Sequence, residues 1–403
     1  MIKVMVVLSV LFTFYLIYEY FLFFLILKIW ASKKTYVIYN LNESDLSKKI
    51  SIIISAYNEE KVIYKKLENI TNLNYPKKNI EIVVVNDCSD DKTEDEIKRF
   101  IEDYNDIEVV YIKNLKRSGK SVSLNKAIKM AKGEYILLTD ANIMFDKDYL
   151  KNLIKSMKNS KIGAVRGHLI MSKDIDNITL SDMETSYWDI EEKVGLWEYK
   201  IKTAINLPGA GYLMRKDLYE LIPEDRVIMD DFFESMAILK KGYIIAYSVD
   251  ALMYEAPSRE IWGEFKRRIR IATANFNIFP WIKELLFNFK DPIITFFIYS
   301  HKIFRWFSFI PFIGLYIIAF VSLIFYFNNF TFILNTLLLV QLLLSFMYAK
   351  FPILNYFKYT TIIKYIDKIF KANSYFTLSQ IAFLIGFFRS LKKTKPYWER
   401  VER

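Results

Sequence analysis

Acidic, amide and hydroxyl side chains follow four apolar runs in the first half of the sequence. The four polar stretches are 55–60, 86–91, 117–120 and 139–142. Helix capping would explain any one of them, because Asp, Asn and Ser are good N-cap residues. Their recurrence after four consecutive apolar runs favours a shared binding site instead.

These stretches contain side chains suited to different parts of a nucleotide. The carboxylate of Asp87 could accept hydrogen bonds from a nucleobase imide, and the ring of Tyr57 could stack on the base. Gly119 and Lys120 stand where a helix is predicted to begin. A helix N-terminus that carries a lysine attracts phosphate.

Asp140 and Asn142 offer two oxygen ligands two residues apart. Such a pair suits Mg²⁺ or Mn²⁺, since these ions take one or two protein carboxylates and complete their shell with substrate phosphates and water. The ion would neutralise a departing diphosphate. A zinc site built from His and Cys is excluded, because the only such residues are Cys88, His168 and His301.

The polar stretches belong to a regular alternation of predicted strands and helices. Strands are predicted over 50–56, 80–85, 107–112 and 135–139, and helices over 61–72, 92–103, 120–131 and 147–157. Continuous apolar strands that alternate with helices indicate an α/β fold with a mostly parallel sheet covered on both faces. Ligands bind at the carboxyl ends of such strands, so the four stretches should meet at one edge.

The composition indicates a membrane protein with a soluble catalytic centre. The chain has 403 residues, of which 53% are hydrophobic and 25% charged, with apolar residues at both ends and charges in the middle. We expect an N-terminal transmembrane helix over 1–32 and a catalytic domain over 48–290. Residues 291–403 should hold an interfacial helix, a transmembrane hairpin, an amphipathic segment and a basic tail.

The N-terminal apolar run, residues 4–30, exceeds the roughly 20 residues that cross a bilayer. Glu19 interrupts it and should therefore face protein or water. The alternative, a cleaved leader, would have a shorter core and a small-residue cleavage site, and none is evident.

Near the C-terminus, residues 307–327 and 330–348 are predicted to form a hairpin of two spans. Residues 293–305 are predicted to form an amphipathic helix that lies in the membrane interface. Residues 375–388 are short for a span and should be interfacial or re-entrant. A fourth crossing would place the basic tail outside, against the positive-inside bias, so three full spans are predicted.

The net charge of +11 lies largely beside the apolar runs. The basic residues concerned are Lys33, Lys34, Lys392, Lys393 and Lys395. Lipid head groups explain this placement better than nucleic acid does, so membrane lipid is the expected partner and nucleic acid is not.

Taken together, the motifs resemble those of family 2 glycosyltransferases of the GT-A fold, especially membrane polysaccharide synthases. The similarity runs in order through residues 52–60, 83–91, 117–127, 137–142, 187–191, 208–215, 229–243, 265–270 and 300–306, and ends near Trp398. The resemblance implies an integral membrane enzyme whose cytoplasmic domain binds a nucleotide-sugar donor.

The resemblance also implies roles for residues of the first motifs. Ser55, Tyr57 and Asp87 would line the base and ribose of the nucleotide, and Glu59 would belong to the same substrate-binding set. Asp140 is the first acid of the family's Asp-x-Asp metal motif. Its second acid is Asn142 here, and this Asp-Ala-Asn version resembles a subgroup of the family.

Two later motifs complete the implied site. Gly209, Ala210 and Gly211 would line the pocket for the donor sugar and acceptor, although a simple turn would also explain them. Asp231 matches the catalytic acid and would be the general base, taking the proton of an acceptor hydroxyl. Asp230 is its rival and could instead serve only to cap a helix.

The processive-synthase signature Gln-x-x-Arg-Trp is altered, since residues 266–271 read Lys-Arg-Arg-Ile-Arg-Ile. Arg268 and Arg270 remain candidates to bind diphosphate, and a basic interfacial helix is the alternative. The missing tryptophan puts processivity in doubt.

The resemblance leads to one main hypothesis and two alternatives. The main hypothesis is transfer of a sugar, with inversion, from an NDP-sugar to a hydroxyl of a polysaccharide or other glycan. A UDP-sugar is the preferred donor. The first alternative is single-sugar transfer to a polyprenyl phosphate or lipid acceptor. The second is a non-catalytic membrane subunit for glycan export.

Overall fold

The computed structural model describes residues 2–171, 178–256, 261–288, 291–325, 329–350 and 361–392. The predictions that concern Lys393, Lys395 and Trp398 lie outside these residues. So do part of the predicted basic tail and the connection inside the predicted hairpin.

One eight-stranded sheet forms the centre of the described structure. In chain order its strands are β1 (Ile50–Ala56), β2 (Ile80–Asn86), β3 (Glu108–Lys113), β4 (Tyr135–Thr139), β5 (Met144–Phe145), β6 (Ile162–Met171), β7 (Gly211–Arg215) and β8 (Ile244–Glu255). Across the sheet the order is β3-β2-β1-β4-β7-β6-β8-β5. The four strands expected from the sequence are confirmed, and each lies within about a residue of its predicted bounds.

The sheet is mixed, and the expectation of a mostly parallel sheet holds only for part of it. Strands β3, β2, β1 and β4 are parallel. Strand β7 runs antiparallel to both β4 and β6, and β5 runs antiparallel to β8. The reversal follows from where β7 begins: Gly211 pairs with Thr139 at the carboxyl end of β4, so the chain must run back along that strand.

Helices surround the sheet and lie at both ends of the part of the chain that the structure describes. They are α1 (Ile2–Ile17), α2 (Phe23–Ser32), α3 (Ile63–Thr71), α4 (Thr93–Asp103), α5 (Lys120–Met130), α6 (Tyr149–Ile154), α7 (Ile178–Ile201), α8 (Asp230–Lys240), α9 (Ile261–Asn277), α10 (Phe279–Leu286), α11 (Pro292–Phe297), α12 (Phe304–Phe307), α13 (Phe309–Phe325), α14 (Asn329–Lys350) and α15 (Thr361–Ser390). Two π-helical turns, Tyr18–Leu22 and Ile298–Ile303, connect α1 to α2 and α11 to α12.

Both faces of the sheet are buried, as the continuous apolar strands predict. Successive side chains of a strand point to opposite faces. Ile53 and Val83 accordingly join the cluster under α5 and α8, while Ile52 and Val84 join the cluster under α3, α4 and α6. The polar residues that follow β1, β2 and β4 are thereby held at one edge of the sheet.

The N-terminal helix is a candidate membrane span. Residues Ile2–Ser32 form a continuous helical segment of 31 residues, and among the described residues it alone is long and apolar enough to cross by itself. Pro292–Phe307 and Phe309–Phe325 qualify only together, with a bend of 44° between them. In α14 the apolar part, Ile333–Ser345, is shorter. By length and composition the described residues contain one such helix, or two if the bent pair is one span, and the three full spans stay a prediction.

Two predictions about the C-terminal region change in the structure. Residues 375–388 are not a separate short segment, because they belong to the 30-residue helix α15, which packs against α9 and α14. Residues 293–305 do form a helix, but His301 in it is only 1% exposed, because its polar side chains turn inward to buried carboxylates.

Candidate active site

Asp87 organises the loop that leads into α5. Its Oδ1 accepts hydrogen bonds from the backbone N–H of Ser118 (2.9 Å) and the side-chain amide of Asn114 (2.7 Å), and its Oδ2 accepts one from the N–H of Gly119 (2.7 Å). Gly119 has a φ of 94°, which favours glycine. The carboxylate predicted to meet a nucleobase therefore also fixes the entrance to the helix that carries Lys120.

The loops after β1 and β2 are tied to one another. The backbone N–H of Asn58 donates to Oγ of Ser89, and the side-chain oxygen of Asn58 accepts from the N–H of Asp90, both at 3.0 Å. Asn58 and Cys88 have φ values of 57° and 59°. The two loops are therefore joined by hydrogen bonds, and each contains one residue in the left-handed region.

Tyr57 and Arg117 meet at the same edge. The guanidinium carbon of Arg117 lies 3.9 Å from the ring centroid of Tyr57, which is a cation–π distance. Both side chains are half-buried, as are Ser55 at the end of β1 and Glu59 in the following loop. The backbone N–H of Glu59 donates to Thr93 at the start of α4, 2.7 Å away.

Lys120 lies between two carboxylates. Its Nζ is 2.8 Å from Oδ1 of Asp140, which follows β4, and 3.0 Å from Oδ2 of Asp230, the first residue of α8. Burial by itself lowers the pKa of the Lys120 ammonium, but Asp140 and Asp230 outweigh that effect and raise the pKa above its usual value. The prediction that Lys120 opens a helix is confirmed.

Asp231 is the next residue along α8 and has a different environment. Its Oδ1 accepts a hydrogen bond of 2.7 Å from the N–H of Phe232. Burial and the neighbouring charge of Asp230 raise the pKa of the Asp231 carboxyl to about 7, against an opposing effect of Lys120. A carboxyl that titrates near neutrality is suited to take and release a proton.

The glycine motif approaches Asp231 closely. A Cβ placed on Gly209 would stand 3.1 Å from Oδ2 of Asp231. Thr139 at the end of β4 donates a 2.7 Å hydrogen bond to the carbonyl of Ala210, and Gly211 begins β7. Because Ser235 of α8 accepts from the N–H of Leu207, this segment is fixed to the helix that carries Asp231.

The proposed metal ligands have separate partners in the structure. Asp140 pairs with Lys120, and the side-chain amide of Asn142 donates to Oε1 of Glu255 at 3.3 Å. Within the described ranges no group of three or more His, Cys, Asp or Glu side chains is arranged to hold a metal. One carboxylate and one amide oxygen still fit an ion that takes its remaining ligands from a diphosphate and water.

Arg268 is engaged at the packing interface of α9 and α15. Its guanidinium carbon lies 3.8 Å from the ring centroid of Tyr375, Nη1 donates to Ser379 at 2.9 Å, and Nε lies 3.0 Å from Glu264. Arg270 follows two residues later on α9 and is half-buried. Binding of diphosphate by either arginine stays a prediction.

A buried ionic network was not foreseen in full from the sequence. Arg305 contacts Glu19 in the N-terminal helix, at 3.1 Å, and Glu191 in α7. The two ring nitrogens of His301 lie 3.0 Å from Glu191 and 2.7 Å from Glu198. The expectation that Glu19 faces protein is confirmed, and a carboxylate inside an apolar helix was the signal that such a partner exists.

Lys66 is a second feature that the sequence did not single out. Its side chain is fully buried, and among the described residues its Nζ has no hydrogen-bond partner. The Nζ lies 3.4 Å from the ring centroid of Phe145, and burial holds the pKa of the amine well below its usual value against an opposing effect of Asp140. Its place in the helical repeat of α3 marked a buried position, but lysine rarely occupies one.

Comparisons with known proteins identify the family of the domain that holds the first of these residues. Residues 51–221 match the family described as Glycosyl transferase family 2. Residues 51–221 thus form a family 2 glycosyltransferase domain. The matched range contains β1 except its first residue, the strands β2 to β7 and the four polar stretches.

Curated relatives support the same assignment. The glycosyltransferase is 29% identical over 257 residues to "Probable glycosyltransferase YdaM" of Bacillus subtilis, covering 62% of this chain and 60% of that one. It is 28% identical over 240 residues to a poly-beta-1,6-N-acetyl-D-glucosamine synthase of Staphylococcus epidermidis (57% and 55% covered). It is 25% identical over 217 residues to a beta-monoglucosyldiacylglycerol synthase of Trichormus variabilis (52% and 44% covered). The chain spans about half the length of these relatives.

A solved structure shares the fold across nearly the whole chain. It is a mannosyltransferase from Pyrobaculum calidifontis in complex with GDP-Man and Mn²⁺, with a TM-score of 0.72 at 20% identity. The similarity covers 96% of this glycosyltransferase and 99% of that chain. The mixed sheet with its surrounding helices is thus of the GT-A type.

Proposed function

We propose that this glycosyltransferase transfers a sugar from a nucleoside diphosphate sugar to a hydroxyl of a glycan, with inversion at the anomeric carbon. A UDP-sugar is the first donor to test. The single observation that carries the proposal is the placement of Asp231, a carboxyl with a pKa near 7, beside Gly209 and one residue from the carboxylate that binds Lys120.

On this proposal, the donor lies along the edge formed by the loops after β1, β2 and β4. Tyr57, Ser55, Glu59 and the Asp87 loop bind the nucleoside. Lys120, at the N-terminus of α5, attracts the diphosphate, because the helix dipole and the ammonium act together. Support comes from the hydrogen bonds that tie Asp87 to Gly119 and so fix the nucleoside loop relative to this lysine.

Asp140 and Asn142 are the residues that would hold Mg²⁺ or Mn²⁺. Bound there, the ion would neutralise charge on the departing diphosphate. The chain's own cation, Lys120, lies on the same carboxylate and would add to that neutralisation. The metal complex of the Pyrobaculum mannosyltransferase supports the use of a divalent ion in this fold.

The reaction would proceed in one displacement. Asp231 accepts the proton of the acceptor hydroxyl as its oxygen bonds to the anomeric carbon, and the bond from that carbon to the diphosphate oxygen breaks on the opposite face. The absence of a side chain at Gly209 leaves room beside Asp231 for the sugar or the hydroxyl. The nucleoside diphosphate leaves and Asp231 then releases the proton to solvent.

The test is a donor screen followed by a variant. Membranes containing the protein would be incubated with radiolabelled UDP-, GDP- and dTDP-sugars in Mg²⁺ or Mn²⁺, and the products sized. The Asp231→Asn variant should lose transfer to a sugar hydroxyl almost completely, since general-base catalysis is worth about 10²–10⁴-fold. Full activity of that variant on a sugar acceptor would remove Asp231 from the mechanism.

A lipid acceptor is the second candidate, and the diacylglycerol-directed relative is the observation that favours it. A diacylglycerol acceptor would react through a hydroxyl and would still need Asp231. If the acceptor is instead a lipid phosphate, no hydroxyl proton has to be removed, and Asp231→Asn should reduce transfer only modestly. A product ladder would indicate repeated transfer to a glycan, and a single glycolipid product would indicate the alternative.

We further propose a cell-membrane location with the domain at 48–290 in the cytoplasm, where nucleotide sugars are available. The apolar helix Ile2–Ser32 supports attachment to the membrane. Accessibility of a cysteine introduced at an exposed position of α4, tested in sealed and opened vesicles, would check the orientation. Labelling from the outer side of intact cells would contradict it.

A further inference from the structure

The sequence leaves two roles open for Asp230, the general base or a helix cap, and the structure adds a contact that neither role includes. The N-cap of α8 is Met229, and its side chain makes no capping hydrogen bond. Asp230 is the first helical residue, and its Oδ2 lies 3.0 Å from Nζ of Lys120, a residue more than a hundred positions earlier. Its carboxylate thus serves a contact across the site.

The two carboxylates on Lys120 differ in exposure. The side chain of Asp230 is 11% exposed and that of Asp140 is 33% exposed. A ligand that enters from solvent therefore reaches Asp140 and the outer side of the ammonium before it reaches Asp230. The contact of Lys120 with the buried Asp230 is therefore suited to persist when a ligand binds. The contact with the more exposed Asp140 is suited to be exchanged.

An ammonium group has three N–H donors on a flexible stem. Asp140 and Asp230 occupy two of them in this structure. Fixing such a stem costs side-chain entropy when a ligand has to order it. A buried carboxylate that already holds the ammonium removes part of this cost before the ligand arrives.

We propose that Asp230 is a positioning residue that holds Lys120 for the donor diphosphate. In the nucleotide-free enzyme, Lys120 bridges Asp230 and Asp140. When the diphosphate binds, Lys120 keeps its contact with Asp230 and exchanges its contact with Asp140 for one with a phosphate oxygen. This inference rests on the proposed function and assigns Asp230 a task distinct from that of Asp231.

The exchange has a consequence for charge. Before binding, one ammonium faces two carboxylates, and the group has a net charge of −1 from these three side chains. After exchange, the same ammonium faces Asp230 and a phosphate, and the Asp140 carboxylate no longer contacts Lys120. The diphosphate thus draws a competing positive charge away from Asp140, so the nucleotide and a cation held by Asp140 should bind with positive coupling.

The experiment is calorimetric binding of UDP and of GDP to the purified full chain in detergent, with and without Mn²⁺. Asp230→Asn should lower the affinity for the better nucleotide about tenfold or more under both conditions, on the scale of one lost hydrogen bond between charged groups. Asp230→Glu should recover most of the loss. Asp225→Asn, at an exposed acid outside the site, is the matched control and should bind as the original protein does.

A double-mutant cycle separates positioning from general damage to the fold. Because Asp230 acts through Lys120, Lys120→Met combined with Asp230→Asn should bind nucleotide no more weakly than Lys120→Met alone. Circular dichroism would confirm that the variants are folded. Losses that add in the double variant, or unchanged affinity in Asp230→Asn, would overturn the inference while leaving the proposed function intact.

The same binding experiment distinguishes failure of the proposed function from failure of the role assigned to Asp230. If the original protein binds neither nucleotide with or without Mn²⁺, then the proposed function fails and this inference fails with it. If it binds nucleotide and Asp230→Asn binds equally well, only the role of Asp230 is refuted.

Discussion

Oδ2 of Asp231 faces the α-carbon of Gly209, and a Cβ at that glycine would be 3.1 Å from the oxygen. A contact this short would force the carboxylate or the loop to move by a few tenths of an ångström. Since the two residues come from the segment before β7 and from α8, their proximity exists only in the folded sheet. On the proposed function, the acceptor hydroxyl would lie beside Asp231 at this position.

Gly209→Ala is therefore expected to reduce sugar transfer by about tenfold or more, because small displacements of a catalytic group are costly. Binding of UDP or GDP should change by less than about twofold, since Lys120 and Asp87 are untouched. Initial rates and calorimetry would be compared on the same preparation. Equal losses in binding and in transfer would show that the loop, and not the carboxylate, has been disturbed.

Activity should depend on pH through Asp231. The carboxyl acts as a base only when ionised, so the rate of transfer should rise with pH through about 7 and then level off. A rate profile from pH 5 to 9 at saturating donor would reveal the inflection. A profile that is flat between pH 5 and 7 would contradict the elevated pKa.

The same shift predicts a pH-dependent effect of Asp231→Asn on stability. The folded pKa is raised above the ordinary value of 3.8, so ionisation of Asp231 destabilises the folded state at pH values above about 7 and costs nothing below about 4. The variant should melt at a higher temperature than the original protein at pH 8, and the difference should shrink as the pH falls. Scanning fluorimetry in detergent at several pH values would measure it.

Two roles are open for Arg268: packing α15 against α9, or binding phosphate. Its contacts with Tyr375 and Ser379 predict that Arg268→Ala loosens α15 from α9, lowering the melting temperature and increasing protease cleavage near the C-terminus. Lys266→Ala, at an exposed position on the same helix, is the control and should do neither. A drop in nucleotide affinity without a change in melting would instead favour the diphosphate role.

Lys66→Met should stabilise the protein. The buried amine has only an aromatic ring as a close partner among the described residues, and an uncompensated polar group of this kind costs roughly 1–3 kcal/mol. Methionine replaces the stem at similar volume without the amine. The melting temperature should rise by a few degrees near pH 7, and a decrease would mean that Lys66 is needed as a cation behind Asp140.

The site could be predicted from the sequence to the extent that strand ends could be predicted. The bounds of β1, β2 and β4 follow from continuous apolar runs, and parallel pairing brings the residues after them to one edge. Asp140 and Lys120 were found in this way, and the structure joins them by an ion pair. Asp231 needed the family resemblance, because α8 is preceded by a long irregular segment.

The C-terminal part was predicted less well. The inward-facing His301 and Arg305 were read as residues of an interface, since a helix with charges on one side looks the same whether that side meets lipid head groups or buried carboxylates. The direction of β7 was also missed. Its sense depends on pairing with Thr139, a contact that no local pattern records.

By itself, the sequence determined the alternation of strands and helices, the polar residues at the strand ends and the apolar N-terminal helix, because these depend on periodicities of two and 3.6 residues along the chain. Only the tertiary structure decided which charges neutralise one another: Lys120 with Asp140 and Asp230, and Arg305 with Glu19 and Glu191. Pairing of charges depends on distances of a few ångströms between residues remote in the chain, and those distances are fixed when the layers of the fold pack together.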